Sequence, residues 1–293
     1  RPLDKPFSFL VLERKEAQDF AVDIPPFGYR LMERFWPGPL TLVLKSKDKG
    51  SVGIRVPDHK VARILIALAG VPLVCPSANI SGKGAPVDFS GALADLDGLV
   101  DLAIDAGKSS LGLESTVVDA TMDPPRILRE GAIKKDDIQK VAARKTVLFI
   151  CTGNSCRSVM AKALLEKVLK DNNRSDVDVL SAGIMMMSGL GATRETQEAL
   201  RQEGIDVSGH RSKRVTQEMI RSSDLILVME RLHEEKILEI APDAKNRLFL
   251  LKEFAKIEGD HLDIADPVGR DMEFYQRTHE IIREAVERVA KTL

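Results

Sequence analysis

Two α/β domains are predicted, the second doubly wound about a parallel sheet, and three observations carry the prediction. The chain has 293 residues, and at about 100–200 residues per domain that length makes two cores rather than one. From Lys145 onward short apolar runs alternate with helical patterns, as they do when helices cross over between parallel strands. Before Lys145 prolines and glycines break the chain into short strands and few helices. The change of rhythm puts the boundary near Arg144–Lys145 and the domains at 1–144 and 145–293.

The first half reads in order as follows. Phe7–Leu12 is a short apolar run of strand type, and Phe27–Phe35 is a helix stopped by Trp36-Pro37-Gly38-Pro39. Leu40–Lys45 and Val52–Val56 are strands rich in aliphatic residues, and Lys60–Leu68 is a helix. Val71–Cys75 is a strand ended by Pro76 and the small-residue run Ser77-Ala78-Asn79-Ile80-Ser81-Gly82. Val100–Ile104, Ser115–Asp119 and Arg126–Leu128 read as strands, and Lys134–Arg144 as a charged helix. In the second half, Thr146–Ile150 is a buried strand, followed by a tight loop and a helix over Val159–Leu169. Val177–Ser181 and Leu225–Met229 are further strands. The last helix, Asp271–Ala290, carries Tyr275, Ile282, Val286 and Val289 on one face.

Composition excludes several classes. With 44 % hydrophobic residues the chain can build cores, so extensive disorder is excluded. Lys plus Arg number 43 against 44 Asp plus Glu, so bulk basicity cannot hold it to nucleic acid, although local basic pockets can exist. No apolar run approaches the roughly 18–20 residues that span a bilayer. The three cysteines make no disulfide framework, which fits a reducing, cytoplasmic setting. The five histidines show no metal-ligand spacing.

The densest chemical signal is Cys151-Thr152-Gly153-Asn154-Ser155-Cys156-Arg157-Ser158, between a strand end and a helix start. Backbone N–H groups of such a loop can all turn inward, and the helix N-terminus adds positive potential. That field favours the thiolate form of Cys151. Arg157 then supplies the planar, bidentate donor that grips a phosphoryl group.

These residues resemble the low-molecular-weight protein-tyrosine phosphatase family, and the resemblance covers Lys145–Leu293. It implies a cofactor-free phosphatase acting on a phosphorylated protein, with Cys151 as the nucleophile that forms a phosphocysteine. Arg157 would bind the phosphate, Asn154 would hold the loop, and Ser158 would donate to the Cys151 thiolate. Thr152, Gly153, Ser155 and Cys156 would complete the phosphate loop. The Asp-Pro pair of the family is matched by Asp266-Pro267, so Asp266 would protonate the leaving group and then deprotonate water. Val159 and Lys162 depart from the family, which commonly has Pro and Glu there. Ser155 departs from the bulky aliphatic of phosphotyrosine enzymes, and Val268-Gly269 replace the aromatics that follow Asp-Pro. Phosphotyrosine is the expected substrate class, with phosphoarginine as its rival because a hydroxyl at Ser155 can bond a guanidinium.

The first half carries six ordered motifs. They are Arg1-Pro2-Leu3-Asp4-Lys5-Pro6, Trp36-Pro37-Gly38-Pro39-Leu40-Thr41, Val52-Gly53-Ile54-Arg55-Val56-Pro57, Pro76-Ser77-Ala78-Asn79-Ile80-Ser81-Gly82, Leu113-Glu114-Ser115-Thr116-Val117-Val118-Asp119 and Leu128-Arg129-Glu130-Gly131. Together they resemble the YrdC-like threonylcarbamoyl-adenylate synthases, which implies a twisted mixed sheet over a basic concave cavity. The family joins ATP, L-threonine and bicarbonate, feeding a tRNA modification. By position, Arg1, Lys5, Ser51, Ser77 and Arg129 would line the ATP site. Arg55, Cys75 and Ser115 would face threonine, Asn79 and Ser81 would shape the pocket, and Mg²⁺ would accompany the nucleotide. The sequence opens at Arg1 in mid-motif without the family's first segment, so this domain is expected to be incomplete and inactive as a synthase. The alternative reading keeps the phosphatase and makes the first half a structural, nucleotide-binding or RNA-binding module, with tRNA or double-stranded RNA as its partner.

Overall fold

The strand that ends at Cys151 is the centre of the second half, and its side chains alternate strictly between two cores. In the computed structural model, which describes residues 8–80, 83–185, 188–259 and 261–293, this strand runs over Lys145–Cys151. Val147, Phe149 and Cys151 enter one apolar cluster, and Leu148 and Ile150 enter another. That is the period of two of a strand buried on both faces. The chain divides into two compact units, Arg1–Ala143 and Arg144–Leu293.

The first unit is a mixed sheet of β1 (Ser8–Leu10), β2 (Leu40–Lys45), β3 (Ser51–Arg55), β4 (Leu73–Val74), β5 (Thr116–Asp119) and β6 (Arg126–Arg129). Their order across the sheet is β4-β1-β3-β2-β5-β6. β1 and β3 are parallel, as are β2 and β5, whereas β2–β3, β1–β4 and β5–β6 are antiparallel. Leu40, Leu42 and Leu44 alternate into a core shared with Leu31, Trp36, Ile54 and Ile138. The Trp36 indole N–H donates to the Leu40 carbonyl at 2.7 Å, tying the Trp-Pro-Gly-Pro turn to the strand it starts. Helices Pro26–Phe35 and Lys135–Ala143 pack on this core.

One expectation fails in this unit, and one element lies outside the expectations. Val100–Ile104 is not a strand: no segment among the described residues pairs with it, and Val100, Leu102 and Ile104 are exposed. A short apolar run without a neighbour to complete its ladder does not hold strand geometry. A helix that sequence reading passed over spans Phe89–Leu96. Its signal was Asp88, an N-cap whose carboxylate accepts from Gly91 N–H at 2.9 Å.

The second unit is a four-stranded parallel sheet of β7 (Lys145–Cys151), β8 (Val177–Gly183), β9 (Leu225–Val228) and β10 (Leu248–Leu250), ordered β10-β9-β7-β8. Helices Arg157–Asp171 and Met272–Ala290 share a core on one face of the sheet, and helix Arg231–Ile240 contributes to the core on the other. Asp271 caps the final helix by accepting from Phe274 N–H at 2.9 Å. Chain order reverses at β7, with β8 on one side and β9 on the other. In an open α/β sheet the crevice at such a switch point, beyond the strands' carboxyl ends, is where ligands bind. Cys151 is the residue at that point. No helix among the described residues is long and apolar enough to cross a membrane.

Candidate active site

The loop from Cys151 to Arg157 is bent into a cradle by two residues in particular. Asn154 takes a left-handed backbone, φ +51°, which asparagine tolerates better than most side chains. Its buried amide is fully used: Nδ2 donates to Ser158 Oγ at 2.9 Å and Ser181 Oγ at 3.0 Å, and Oδ1 accepts from Lys213 N–H at 2.8 Å. His210 Nε2 donates to the Asn154 carbonyl at 2.7 Å. Gly183, at the end of β8, lets the cradle lie directly on the sheet, since a Cβ there would stand 2.7 Å from the Thr152 carbonyl oxygen.

The cradle holds the Cys151 sulfur, buried to 3 % exposure, 3.0 Å from Ser158 Oγ. Because Asn154 already donates to that oxygen, the Ser158 hydrogen is free to turn to the sulfur. The helix starting at Arg157 adds its N-terminal potential. The second cysteine of the loop faces elsewhere: Cys156 Sγ lies 3.4 Å from Thr193 Oγ1 and 3.6 Å from the Tyr275 hydroxyl. Burial raises the Tyr275 phenol above its ordinary range, so it stays protonated.

Arg157 is 1 % exposed and splits its guanidinium among four oxygens. Nη1 donates to Glu230 Oε2 at 2.6 Å and the Ile264 carbonyl at 2.7 Å. Nη2 donates to Thr152 Oγ1 at 3.1 Å and Asp266 Oδ2 at 2.5 Å. Nε is buried and has no partner among the described residues, and an orphaned charged donor is costly unless a ligand meets it. Asp266, at the partly open rim, also accepts Val268 N–H at 3.2 Å through Oδ1, the turn that an Asp-Pro pair starts. His233 is fully buried beside this network. Burial, reinforced by the Arg157 charge, pushes its imidazole down to about 4, so it is neutral at pH 7.

The first unit has a cleft of about 740 Å³ lined by Thr41, Arg55, Cys75, Ser77, Ser115 and Arg129 among others. Arg129 is folded back onto Ser115, Nη2 donating to its carbonyl at 2.9 Å and approaching its Oγ at 3.2 Å, and pairs with Glu114 at 2.9 Å. Arg55 Nε donates to the Gly38 carbonyl at 2.8 Å. Burial pushes the Arg55 guanidinium down and the Cys75 thiol up. Two arginines against one paired carboxylate make this an anion-favouring cleft. Gly131 is required beneath it, because a Cβ there would overlap the Glu114 carbonyl. Ser51 stands at the far end of β3 from Arg55, and neither Ser51 nor Asn79 is in the lining. Arg1, Lys5 and Ser81 lie outside the described residues.

Residues 146–293 match the model of a family described as low molecular weight phosphotyrosine protein phosphatase. The chain belongs to that family. Residues 1–131 match a second family model, described as telomere recombination. A protein-arginine-phosphatase of Geobacillus stearothermophilus is 37 % identical over 147 residues, 50 % of this chain and 95 % of that protein. A probable low molecular weight protein-tyrosine-phosphatase, EpsP of Ralstonia nicotianae, is 36 % identical over 143 residues, covering 49 % and 92 %. For the first half, a threonylcarbamoyl-AMP synthase of Pyrococcus abyssi is 38 % identical over 150 residues, 48 % of this chain and 44 % of that protein. The chain thus spans less than half the length of the synthase relatives it matches first.

Within this low molecular weight phosphatase unit the structure brings Cys151, Arg157, Ser158 and Asp266 into one network. It adds residues that sequence reading missed. Glu230 caps and His233 sits in the first turn of helix Arg231–Ile240, which follows β9, and Ser181 and Gly183 come from the end of β8. All four lie at or just beyond the carboxyl ends of the strands flanking β7, the end of the sheet where an α/β fold places its ligands. Tyr275 was legible only as an apolar face residue of the last helix, whereas its hydroxyl reaches Cys156.

Proposed function

We propose that the second unit hydrolyses phosphorylated protein side chains through a phosphocysteine on Cys151. The observation that carries this reading is the buried, unpartnered Arg157 Nε beside a sulfur served by the Ser158 hydroxyl. The Cys151 thiolate attacks phosphorus, the bond to the leaving group breaks, and Asp266 gives that group its proton. Water then attacks the phosphocysteine, Asp266 takes the water's proton, and phosphate leaves as the thiolate is restored. Arg157 and the loop amides carry the charge of the transferring group. For substrate to bind, the phosphoryl oxygens must take over Arg157 Nη2 from Asp266, which also frees the acid to face the leaving group. Phosphotyrosine is the proposed substrate class. A phosphoarginine reading is favoured by Ser155, whose half-buried hydroxyl lies in the cradle near Cys156 Sγ at 3.6 Å.

Asp266→Asn separates this mechanism from simple electrostatics. Tyrosine and arginine leaving groups need a proton, whereas p-nitrophenolate leaves well without one. The variant is expected to slow phosphotyrosine and phosphoarginine peptides by about 10²–10³ but p-nitrophenyl phosphate by only about tenfold. Equal slowing of all three in steady-state kinetics contradicts the acid role.

For the first unit we propose an ATP and threonine site in the basic cleft. Arg129, Ser77 and the motif residues Arg1 and Lys5 would serve the nucleotide, and Arg55, Cys75 and Ser115 the amino acid. Bicarbonate would be the third substrate, and tRNA the eventual acceptor in a cytoplasmic pathway. Mg²⁺ would enter on the triphosphate, since the one carboxylate among the described lining residues, Glu114, is already paired with Arg129. Calorimetric titration with ATP is expected to show binding that Arg129→Ala weakens about tenfold, the value of one charge-assisted contact. Equal affinity in the variant contradicts this assignment.

A further inference from the structure

The hydroxyl of Thr152, next to the nucleophile, is held from two sides. Arg157 Nη2 donates to its Oγ1 at 3.1 Å, and His233 Nε2 lies 3.0 Å from the same oxygen. The direction of the second bond is decided on the other side of the ring. There the backbone N–H of Glu230 donates to His233 Nδ1 at 3.1 Å. Nδ1 therefore presents its lone pair, and in the neutral imidazole the hydrogen sits on Nε2 and points at Thr152. Glu230 Oε2 is farther from Nε2, at 3.7 Å.

A hydroxyl oxygen has two lone pairs and one hydrogen. Both lone pairs of Thr152 Oγ1 are filled by N–H donors, and its own hydrogen meets no acceptor among the described residues. Both donors come from buried side chains, so the hydroxyl hydrogen, directed away from them, is left for the ligand side. It thus joins Arg157 Nε as a second uncommitted donor in the same network. We propose that the Thr152 hydroxyl is a dedicated hydrogen-bond donor to an oxygen of the phosphoryl group at Cys151, and that His233 positions it by occupying its second lone pair. Without His233 the hydroxyl could rotate and accept from the phosphoryl's surroundings instead of donating. This role rests on the phosphatase reading of the site, and its physical core is the binding of a tetrahedral oxyanion.

The test uses the whole chain, tungstate affinity by calorimetry, and hydrolysis of p-nitrophenyl phosphate. Thr152→Val, nearly isosteric, is expected to weaken tungstate and lower kcat/KM by about tenfold each, as one hydrogen bond to an anion is removed. Thr152→Ser, which keeps the hydroxyl, is expected to restore both to within about threefold of wild type. His233→Leu is expected to lose several-fold, and in the Thr152→Val background to lose nothing more. Tungstate binding by Thr152→Val as tight as wild type overturns the donor role, and losses that multiply in the double variant overturn the positioning by His233. Tungstate binding that depends on Thr152 in a chain that hydrolyses none of the phosphate esters supports this inference while removing the phosphatase reading.

Discussion

Replacing Cys151 by serine is expected to lower kcat by about 10⁴-fold or more, while leaving the affinity for phosphate or tungstate close to that of wild type. The two halves of that result have separate causes. Turnover is lost because a serine hydroxyl in the cradle has no general base to deprotonate it. The hydrogen-bond neighbour of the sulfur among the described residues is Ser158 Oγ, which can donate to it and is no base. Binding persists because the cradle's shape does not depend on the sulfur. Asn154 is anchored to Ser158, Ser181 and Lys213, and Gly183 lets the loop lie on the sheet. Steady-state assay and calorimetry on the same preparation check both halves. Loss of oxyanion binding along with activity would mean that Cys151 holds the loop rather than attacks from it.

Arg157→Lys carries the second large effect, an expected fall of about 10³-fold in kcat/KM despite the retained charge. A guanidinium satisfies Glu230, Ile264, Thr152 and Asp266 from two nitrogens and still keeps Nε for a ligand. An ammonium is one point with three donors, so it cannot both replace this fork and grip a phosphoryl group. Glu230, three-quarters buried, would lose a 2.6 Å partner, and a cost of about 1–3 kcal/mol in stability should accompany the kinetic loss. Kinetics and thermal unfolding of the variant measure the two effects. Activity within about tenfold of wild type would show that charge alone, without the planar fork, suffices.

Much of the second site was legible because its core is local. A strand, a loop with Cys151 and Arg157 and a helix start place nucleophile and phosphate donor without any knowledge of distant contacts. Asp266 was legible only through resemblance, since an Asp before Pro is ordinary turn chemistry. Glu230 and His233 were not legible: nothing in their neighbourhood signals a ligand, and they matter only because parallel pairing sets Val228 beside Ile150. The residues just past β9 thereby reach the loop just past β7. Gly183 was hidden for the same reason, its role being an absence of side chain against another strand's loop. In the first unit, turn and strand signals were read well where strands found partners. Val100–Ile104 misled because its pattern was apolar while its register had no neighbour. Helix Phe89–Leu96 is poorly legible because Ser90 and Gly91, weak helix formers, fill its first turn and obscure the Asp88 cap. The cleft residues Thr41 and Glu114 emerge only when β2 and β5 pair and bring Thr41 Oγ1 within 3.0 Å of Ser115 Oγ.

The central claim is that phosphate passes through the Cys151 sulfur. Rapid acid quench of the chain during turnover of p-nitrophenyl phosphate, followed by peptide mass spectrometry, tests it directly. The account predicts one added phosphoryl group on the peptide carrying Cys151, accumulating further in Asp266→Asn, where water activation is slowed, and absent from Cys151→Ser. Turnover with that peptide unmodified, or with phosphate on a different residue, would contradict it.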